Sequence, residues 1–576
     1  MTPRLLLKLA HINDTHSHFE PSRVRFTLPI EQELLAIHAF SGGYARIQTL
    51  LLQARQQARQ SNRDFLFLHG GDSFQGTLYF REFQGAANAD MLNRLKPDAM
   101  VLGNHEIDGG NAPVRRFLDA ITFPLMAGNM DLASEAESTF ALKDHPGLLD
   151  YDRQNQTARV LLKPLADRQL AIFGITLDQM RDIAHPDPGT EFHSAIAVTR
   201  RTIAWLHDQG IRHILVLSHL GLDGDRKLAE AVDGISLIVG GHSHTLQGSS
   251  QALGQPALSY GERVNNTPIV HAGKYAETLG LADIEFAPSG EVITLNGENL
   301  FMLDDRLQDS EGRPLAAKQY GAVAAQLAAN EAIRYVSDDD EVAKLLADRY
   351  RPRIDELERQ IVALVPRDMQ HTRLPSKRLP HGSELAPWVS RAMYSRAKLQ
   401  DKRIDFALHN AGGVRDSLAH GQLTVADVLG KVLPFEIPLV AYQIRGRFLY
   451  EAIESAINAA TNNGIQGTGT GSFPYTYGLR YEYDGRRPAG QRIVSLEVMQ
   501  QKAWRILEPG QLYTGVSSQY TTSGKEGYGP LLNSEWRQIM GSLTLPGAFM
   551  EYISSGDVWA DPVGPNVHYT SHLTLE

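Results

Sequence analysis

The chain has 576 residues, more than one hydrophobic core usually organises, so two large domains are expected. Its hydrophobic content of 42% and charged content of 21% are ordinary for a globular protein, and its net charge of -10 argues against a general nucleic-acid or anionic-membrane binder. The chain has no cysteine, which excludes disulfides and thiolate metal sites and leaves histidine, aspartate, asparagine and glutamate as metal ligands.

Strand-like and helix-like segments alternate from residue 1 to about 336, which predicts a layered α/β domain. The first residues run into His11-Ile12-Asn13-Asp14 without a signal-peptide cleavage site, so the chain as written is expected to be soluble and cytoplasmic. No apolar stretch is long enough to cross a bilayer, and no membrane span is expected. The predicted segments are 5–12, 44–60, 64–69, 86–95, 99–102, 114–121, 170–175, 195–209, 211–218, 226–232 and 235–240, with helices at 44–60, 195–209 and 226–232.

A charged helix is expected to follow, beginning at Ser337 and kinked or broken at Pro352. Its apolar positions are Val342, Leu345, Leu346, Tyr350, Leu357 and Ile361. A surface helix of the first domain would show the same pattern, but its polarity and position favour a connector between domains.

A tract rich in proline and basic residues, 366–387, leads into a second domain that runs to Glu576. Strands are predicted at 403–408 and 512–517, and helices at 424–429 and 447–460. The glycine-rich stretch 462–472 lacks the spacing of a nucleotide-binding P-loop and is interpreted as a mobile loop.

Polar side chains follow the predicted strands of the first domain in a repeated way. The run Phe65–Leu68 stops at Gly70-Gly71, and Asp72 comes next. A carboxylate on such a turn suits a ligand shared between two metal ions, although glycine and aspartate at a strand end are also ordinary turn residues. The other strand ends read Asn13-Asp14-Thr15-His16, Gly103-Asn104-His105-Glu106, Ser218-His219 and Gly240-Gly241-His242-Ser243-His244.

Ligands gather beyond the carboxyl ends of strands in open α/β sheets, so these five fragments predict a dinuclear metal centre. One metal is assigned to Asp14, His16, Asp72 and His244, and the other to Asp72, Asn104, His219 and His242. The chain has 21 histidines, and an isolated one is more often a surface or core residue than a ligand. That interpretation is given to His18, His38, His193, His207 and His213.

The order D-x-H, G-D, G-N-H-E, S-H and G-H-x-H resembles the metallophosphoesterase superfamily. Three further stretches, INDTHSHFEP at 12–21, GTLYF at 76–80 and NAGGVRDS at 410–417, resemble its 5'-nucleotidase family, and the NAD nucleotidase and UDP-sugar hydrolase types are the most similar. The resemblance implies a four-layer αββα metal domain at 1–336, a linker helix at 337–365 and an α/β substrate-binding domain at 366–576. It implies two divalent ions per chain, zinc or manganese, with magnesium, cobalt and calcium as alternatives.

Two divalent ions can hold a bridging hydroxide near neutral pH and aim it at phosphorus. The resemblance makes His105 and Asp108 a dyad that stabilises the transition state, whereas a purely structural Asp108 would cap the following helix. It also makes residues of the second domain ligands of the base, ribose and phosphate: Asn410, Gly412, Gly413, Arg415, Phe435, Tyr520 and Glu526. Either Arg373 or Arg378 matches a further arginine, and Arg373 is preferred.

Three positions depart from the family pattern and leave base preference open: Glu436 replaces a glycine, Glu526 an aspartate and Tyr520 a phenylalanine. Because the metals and the base pocket are expected on separate domains, catalysis would need the domains to close on each other, with the linker as hinge. A monomer or weak dimer is expected, and the resemblance favours a periplasmic or extracellular location.

The ligand pattern and the resemblance together predict a metal-dependent hydrolase that releases phosphate from nucleoside 5'-monophosphates, and they leave open whether it also cleaves the pyrophosphate bond of NAD or UDP-sugars. A 2',3'-cyclic-nucleotide phosphodiesterase or another phosphoesterase of the superfamily is the nearest alternative. A nucleotide-binding or adhesion protein with a degenerate metal site is the alternative from another class.

Overall fold

The computed structural model describes residues 5–30, 33–467 and 469–573, and the chain divides into two compact units, Met1–Pro352 and Arg353–Glu576. Thr468, in the predicted mobile loop, lies outside the described residues. No helix among the described residues has the length and apolar character needed to cross a membrane.

The first unit contains a ten-stranded mixed sheet. Nine of its strands, in spatial order, are Ser22–Ile30, Glu33–Ser41, Val292–Asp309, Thr278–Phe286, Leu5–Ile12, Asp64–His69, Ala99–Val101, Leu125–Met126 and Leu148–Leu149, and Ile333–Tyr335 pairs with Val292–Asp309. The run from Leu5–Ile12 to Leu148–Leu149 is parallel, so these strands end at the same edge.

A six-stranded sheet forms the other half of this unit. Its strands, in spatial order, are Leu161–Leu165, Arg168–Ile175, His213–Ser218, Leu237–Val239, Thr267–Val270 and Glu262–Val264. Apolar side chains of the two sheets form one shared core, to which Leu7, Leu9 and Leu66 contribute from the large sheet and Ile172 and Leu215 from the small one.

Helices cover the outer faces of both sheets. Tyr44–Gln60 contacts the large sheet, and Ala195–Asp208 and Leu222–Ala231 bury apolar side chains against the outer face of the small sheet. The helices of this unit are Tyr44–Gln60, Leu78–Phe83, Ala86–Leu95, Asn111–Ala120, Met180–Ile183, Ala195–Asp208, Leu222–Ala231, Ala317–Ala328 and Asp340–Leu345. The layers are therefore helix, sheet, sheet, helix, which confirms the predicted αββα arrangement.

The predicted linker is partly helical. Asp339 caps the helix Asp340–Leu345, a π-helical segment Leu346–Tyr350 follows, and Arg351–Arg359 continues the helix through Pro352. The helix is therefore not broken in two at Pro352, and its irregular hydrogen bonding lies in the turn before the proline. Ile361 is not part of the helix either, since it begins the strand Ile361–Val365.

The second unit contains a five-stranded and a four-stranded sheet. Their strands, in spatial order, are Pro474–Tyr477, Phe406–Asn410, Leu512–Ser518, Pro438–Arg445 and Trp536–Thr544 in the first, and Ala503–Ile506, Ile493–Gln500, Leu479–Asp484 and Val567–Thr570 in the second. A two-stranded sheet joins Ile361–Val365 to Gly421–Thr424. The helices are Ala386–Gln400, Val425–Asp427 with the π-helical Val428–Val432, Gly446–Thr461, Gln519–Thr522 and Leu545–Ile553.

Candidate functional site

The predicted ligands of the first unit lie at the carboxyl ends of strands from both sheets. Asp14, Asp72 and Asn104 follow strands of the large sheet, and His219 and His242 follow strands of the small one. Backbone hydrogen bonds tie these loops together, since the amide of Asp14 donates to Gly71 and that of His16 to Asp72, at 2.9 and 3.0 Å. The sandwich of two sheets thus brings fragments far apart in sequence to one point.

Two groups of side chains could each hold a metal ion there. Asp14, His16 and His244 form one group and Asp72, His219 and His242 the other, with ligand atoms of each group within 4.8 Å of one another. The amide oxygen of Asn104 lies 2.9 Å from Nδ1 of His242 and 3.3 Å from Nε2 of His219. A third group, His16, Asp72 and His105, shares His16 with the first group and Asp72 with the second, so the two groups are neighbours.

The chemistry of these donors fits divalent cations. Nε2 of His16 approaches Nε2 of His244 to 3.0 Å, and Nε2 of His219 lies 3.2 Å from Oδ2 of Asp72. Lone pairs that converge on one point in this way are typical of residues arranged around a cation. Nδ1 of His16 and Nδ1 of His219 face the backbone carbonyls of Phe74 and Gly70, at 3.1 and 2.7 Å, which leaves Nε2 of both rings available as a ligand.

Most of these ligands have left-handed backbone conformations. The φ angles are 49° for Asp14, 47° for His16, 56° for Asp72, 75° for His242 and 55° for His244. Such conformations are costly for residues other than glycine, and they cluster at functional sites. The chain is therefore strained at the residues that point toward the centre.

Gly103 explains how these loops approach so closely. A Cβ atom at this position would lie 2.1 Å from Oδ1 of Asp72, so any side chain here would displace the shared carboxylate.

Glu106 holds two of the ligand loops together, a role that its place in the motif Gly103-Asn104-His105-Glu106 did not predict. Its fully buried carboxylate accepts hydrogen bonds from four backbone amides, those of Asp72, Ser73, Phe74 and Gly103, at 2.7 to 3.0 Å. Burial and the charge of Asp72 raise the pKa of Glu106, and the amide donors oppose that rise.

His105 and Asp108 form the expected pair. Nδ1 of His105 lies 2.6 Å from Oδ2 of Asp108, and the backbone amide of His105 donates to Oδ1 of Asp72 at 2.9 Å. Burial lowers the pKa of His105, but Asp72 and Asp108 outweigh it and raise the pKa to about 9. The pair therefore presents an imidazolium beside the two ligand groups.

The predicted substrate residues of the second unit also cluster. Asn410, at the end of Phe406–Asn410, donates from Nδ2 to Oε2 of Glu526 at 3.3 Å. Glu526 also accepts a hydrogen bond from Tyr520, so the hydroxyl that distinguishes this tyrosine from phenylalanine has a partner. Burial raises the pKa of Glu526, while Asn410, Tyr520, Arg373 and Arg415 oppose the rise. Arg373 therefore lies near this cluster.

Phe435 is 38% exposed, and the guanidinium carbon of Arg415 lies 5.7 Å from the centroid of its ring. An aromatic ring that remains this exposed next to a cation is available for stacking with a base.

The glycine-rich loop contributes to this cluster, which the sequence analysis did not foresee. The end of this loop forms the short helix Thr470–Ser472. Gly471 in this helix lies close to Gly412, since a Cβ atom added to Gly412 would be 3.2 Å from Cα of Gly471. Gly413 packs against His409, because a Cβ atom added to Gly413 would lie only 2.3 Å from Cε1 of His409. The loop 410–415 is thus held between a buried histidine and the glycine-rich segment.

Two family models match this chain, one on each unit. The calcineurin-like phosphoesterase model matches residues 7–246, and the 5'-nucleotidase C-terminal domain model matches residues 369–533.

Similar proteins match over most of the chain. A probable 5'-nucleotidase of Treponema pallidum is 28% identical over 544 residues, covering 91% of this chain and 87% of the relative. An NAD 5'-nucleotidase of Haemophilus influenzae is 29% identical over 547 residues, covering 91% and 85%. The crystal structure of a 5'-nucleotidase precursor from Thermus thermophilus has a TM-score of 0.69 at 27% identity and covers 98% of this chain and 99% of that one.

Proposed function

The chain belongs to the 5'-nucleotidase family of the metallophosphoesterase superfamily, and we propose from this premise that it hydrolyses nucleoside 5'-monophosphates to nucleoside and phosphate. NAD and UDP-sugars are proposed as further substrates, since relatives of similar identity include an NAD 5'-nucleotidase. The observation that carries the proposal is the presence of two neighbouring ligand groups, linked by a third group that contains His16, Asp72 and His105.

We assign seven residues to two divalent ions: Asp14, His16, Asp72, Asn104, His219, His242 and His244. When bound, such ions neutralise charge on phosphoryl oxygens and lower the pKa of water. Zinc or manganese is proposed, because imidazole suits zinc and carboxylate and amide oxygens suit manganese.

The proposed role of His105 is to donate a hydrogen bond to the transferred phosphoryl group. Its Nδ1 is held by Asp108, which leaves the proton on Nε2 for a phosphoryl oxygen. Asp108 would fix the orientation of the ring and keep it protonated, so that positive charge is in place before charge develops on the phosphoryl oxygens.

We propose that the second unit selects the nucleoside. Phe435 and Tyr520 would stack with the base, and Asn410 and Glu526 would bind the ribose through hydrogen bonds. Arg373 and Arg415 would bind the phosphate, for which guanidinium geometry is well suited.

The test is hydrolysis of AMP, NAD, UDP-glucose and 2',3'-cyclic AMP, followed by separating and quantifying substrates and products, by protein supplied with Mn²⁺ or Zn²⁺, beside the same protein in EDTA. Metal-dependent turnover of AMP supports the proposal. Turnover of the cyclic nucleotide alone would instead favour a phosphodiesterase. Binding of AMP without turnover under either metal would favour a nucleotide-binding protein.

A further inference from the structure

Lys274 lies beside the ligand groups of the first unit. Nζ of Lys274 is 4.5 Å from the ring centroid of Tyr275, and that ring contacts His16 and His244 with centroid separations of 5.7 and 5.8 Å. The ammonium group and two of the proposed metal ligands therefore contact the same aromatic ring.

The backbone around Lys274 is anchored to two of the ligand loops. The amide of Tyr275 donates to the carbonyl of Asp14 at 2.8 Å, and that of Gly273 donates to Thr245 at 2.9 Å. Tyr275 and Ala276 have φ angles of 57° and 54°, so two consecutive residues other than glycine are held in the left-handed region. Strain of this kind persists where the surrounding structure fixes the chain, so the backbone next to Lys274 is held in place.

The charge of Lys274 is not compensated nearby by an ion pair. Within residues 5–30, 33–467 and 469–573, no carboxylate forms a salt bridge with its ammonium group. Glu277 is near enough for Lys274 to lower its pKa, but the two are not paired. A cation next to a site for two divalent ions raises the electrostatic energy of that site unless additional negative charge is bound.

A substrate can bring that negative charge. A monophosphate carries its charge on one phosphoryl group, which the ligand groups and His105 would hold. A pyrophosphate-linked nucleotide carries a second charged phosphoryl group next to the first. We propose that Lys274 is a specificity-determining residue that binds this second phosphoryl group in pyrophosphate-linked substrates.

This inference rests on the proposed function and adds a residue that separates two of its substrate classes. In the hydrolysis of such a substrate, a bond forms between the oxygen of water and one phosphorus, and the bridging P–O bond breaks. The protons of the water pass to the product phosphates or to solvent, so no further reactant is needed. Lys274 would stabilise the negative charge on the departing phosphoryl group.

The experiment compares Lys274→Met with Lys274→Arg, and uses Lys143→Met, at an exposed position of the same unit, as a control. AMP and NAD share the adenosine monophosphate group, and NAD adds a second phosphoryl group that carries a nicotinamide riboside. Lys274→Met should lower kcat/KM for NAD by about 10- to 100-fold and that for AMP by less than about 3-fold, and Lys274→Arg should restore most of the loss. The control, Lys143→Met, should have the same kcat/KM as the wild type for NAD and for AMP.

A binding measurement keeps this proposal separate from the proposed function. Titration of the Mn²⁺-loaded protein with inorganic pyrophosphate and with inorganic phosphate should show that Lys274→Met weakens pyrophosphate binding selectively, at unchanged metal content. Equal loss for AMP and NAD, or unchanged pyrophosphate affinity in the variant, would overturn the assignment of Lys274. A wild type that hydrolyses no nucleotide but binds pyrophosphate through Lys274 would overturn the proposed function and leave the subsite standing.

Discussion

Replacing Glu106 with glutamine tests how the ligand loops are held. The two carboxylate oxygens of Glu106 each accept two backbone hydrogen bonds, Oε1 from Ser73 and Phe74 and Oε2 from Asp72 and Gly103. A glutamine has one acceptor oxygen, and its amide nitrogen is a donor. Whichever way the amide is oriented, two buried backbone N–H groups would face a donor instead of an acceptor.

The size of the effect follows from those two amides. A buried donor left without its acceptor costs about 1 to 3 kcal/mol, so two of them cost roughly 2 to 6 kcal/mol. Removing a buried charge offsets part of this, because burial disfavours the ionised carboxylate. A net loss of about 3 kcal/mol is expected, which is a large share of the roughly 5 to 15 kcal/mol that stabilises a typical domain.

The assay is thermal unfolding of Glu106→Gln in EDTA and in Mn²⁺, with metal content measured after dialysis. The first transition should fall by about 5 °C, and the variant should hold fewer than two ions per chain. Glu137→Gln, at an exposed position of the same unit, is the matched control and should behave as the wild type. If Glu106→Gln melts within about 1 °C of wild type and retains its metal, the loops are held by other contacts and this reasoning is refuted.

Four further outcomes are expected. His105→Ala should lower kcat by at least about 100-fold with metal content near that of wild type; loss of metal would make His105 a ligand instead. Asp72→Asn should lower metal affinity and the turnover of every substrate alike, and a change in substrate preference alone would contradict a shared ligand. Phe435→Ala should raise KM for AMP by about tenfold with a smaller effect on kcat, since base stacking contributes about 1 to 3 kcal/mol; an unchanged KM would mean that the base binds elsewhere. Burial raises the pKa of Glu277 to about 7 from 4.5, so the folded protein keeps a proton there that the unfolded chain loses, and stability falls as pH rises between these values. Glu277→Gln should therefore raise the free energy of unfolding by about 2 kcal/mol at pH 8 and leave it unchanged near pH 4, and equal effects at both pH values would contradict the assignment.

Local patterns were sufficient for many elements of the fold. Tyr44–Gln60 and Asp64–His69 have the predicted bounds, because their apolar periodicity is undisturbed. The antiparallel strands Ser22–Ile30 and Glu33–Ser41 were not predicted, although Val24, Phe26 and Leu28 alternate with polar residues, a signal that could have found the first strand. Ile361 could not be placed in a strand from its neighbours, since it pairs with Thr424. That pairing depends on a contact about 60 residues away in sequence.

The candidate site also contains residues that could be predicted from the sequence and residues that could not. The ligand fragments could be predicted because each follows a strand, and parallel strands bring their carboxyl ends to one edge. The role of Glu106 could not, since its four donors belong to two separate loops and become neighbours only in the folded chain. Lys274 gave no signal either, because an isolated lysine in sequence is normally a surface residue.

The left-handed backbone of the ligands places conformational strain in the loops of this site. Five such residues together cost on the order of 5 kcal/mol or more, which is comparable to the whole stability margin of many domains. Contacts within the sandwich offset that strain, and bound ions would add to them because metal binding stabilises only the folded loops. Metal-free chains would therefore be less stable than metal-loaded chains and more readily degraded by proteases in the cell. The supply of metal would then set the lifetime of the protein as well as its activity.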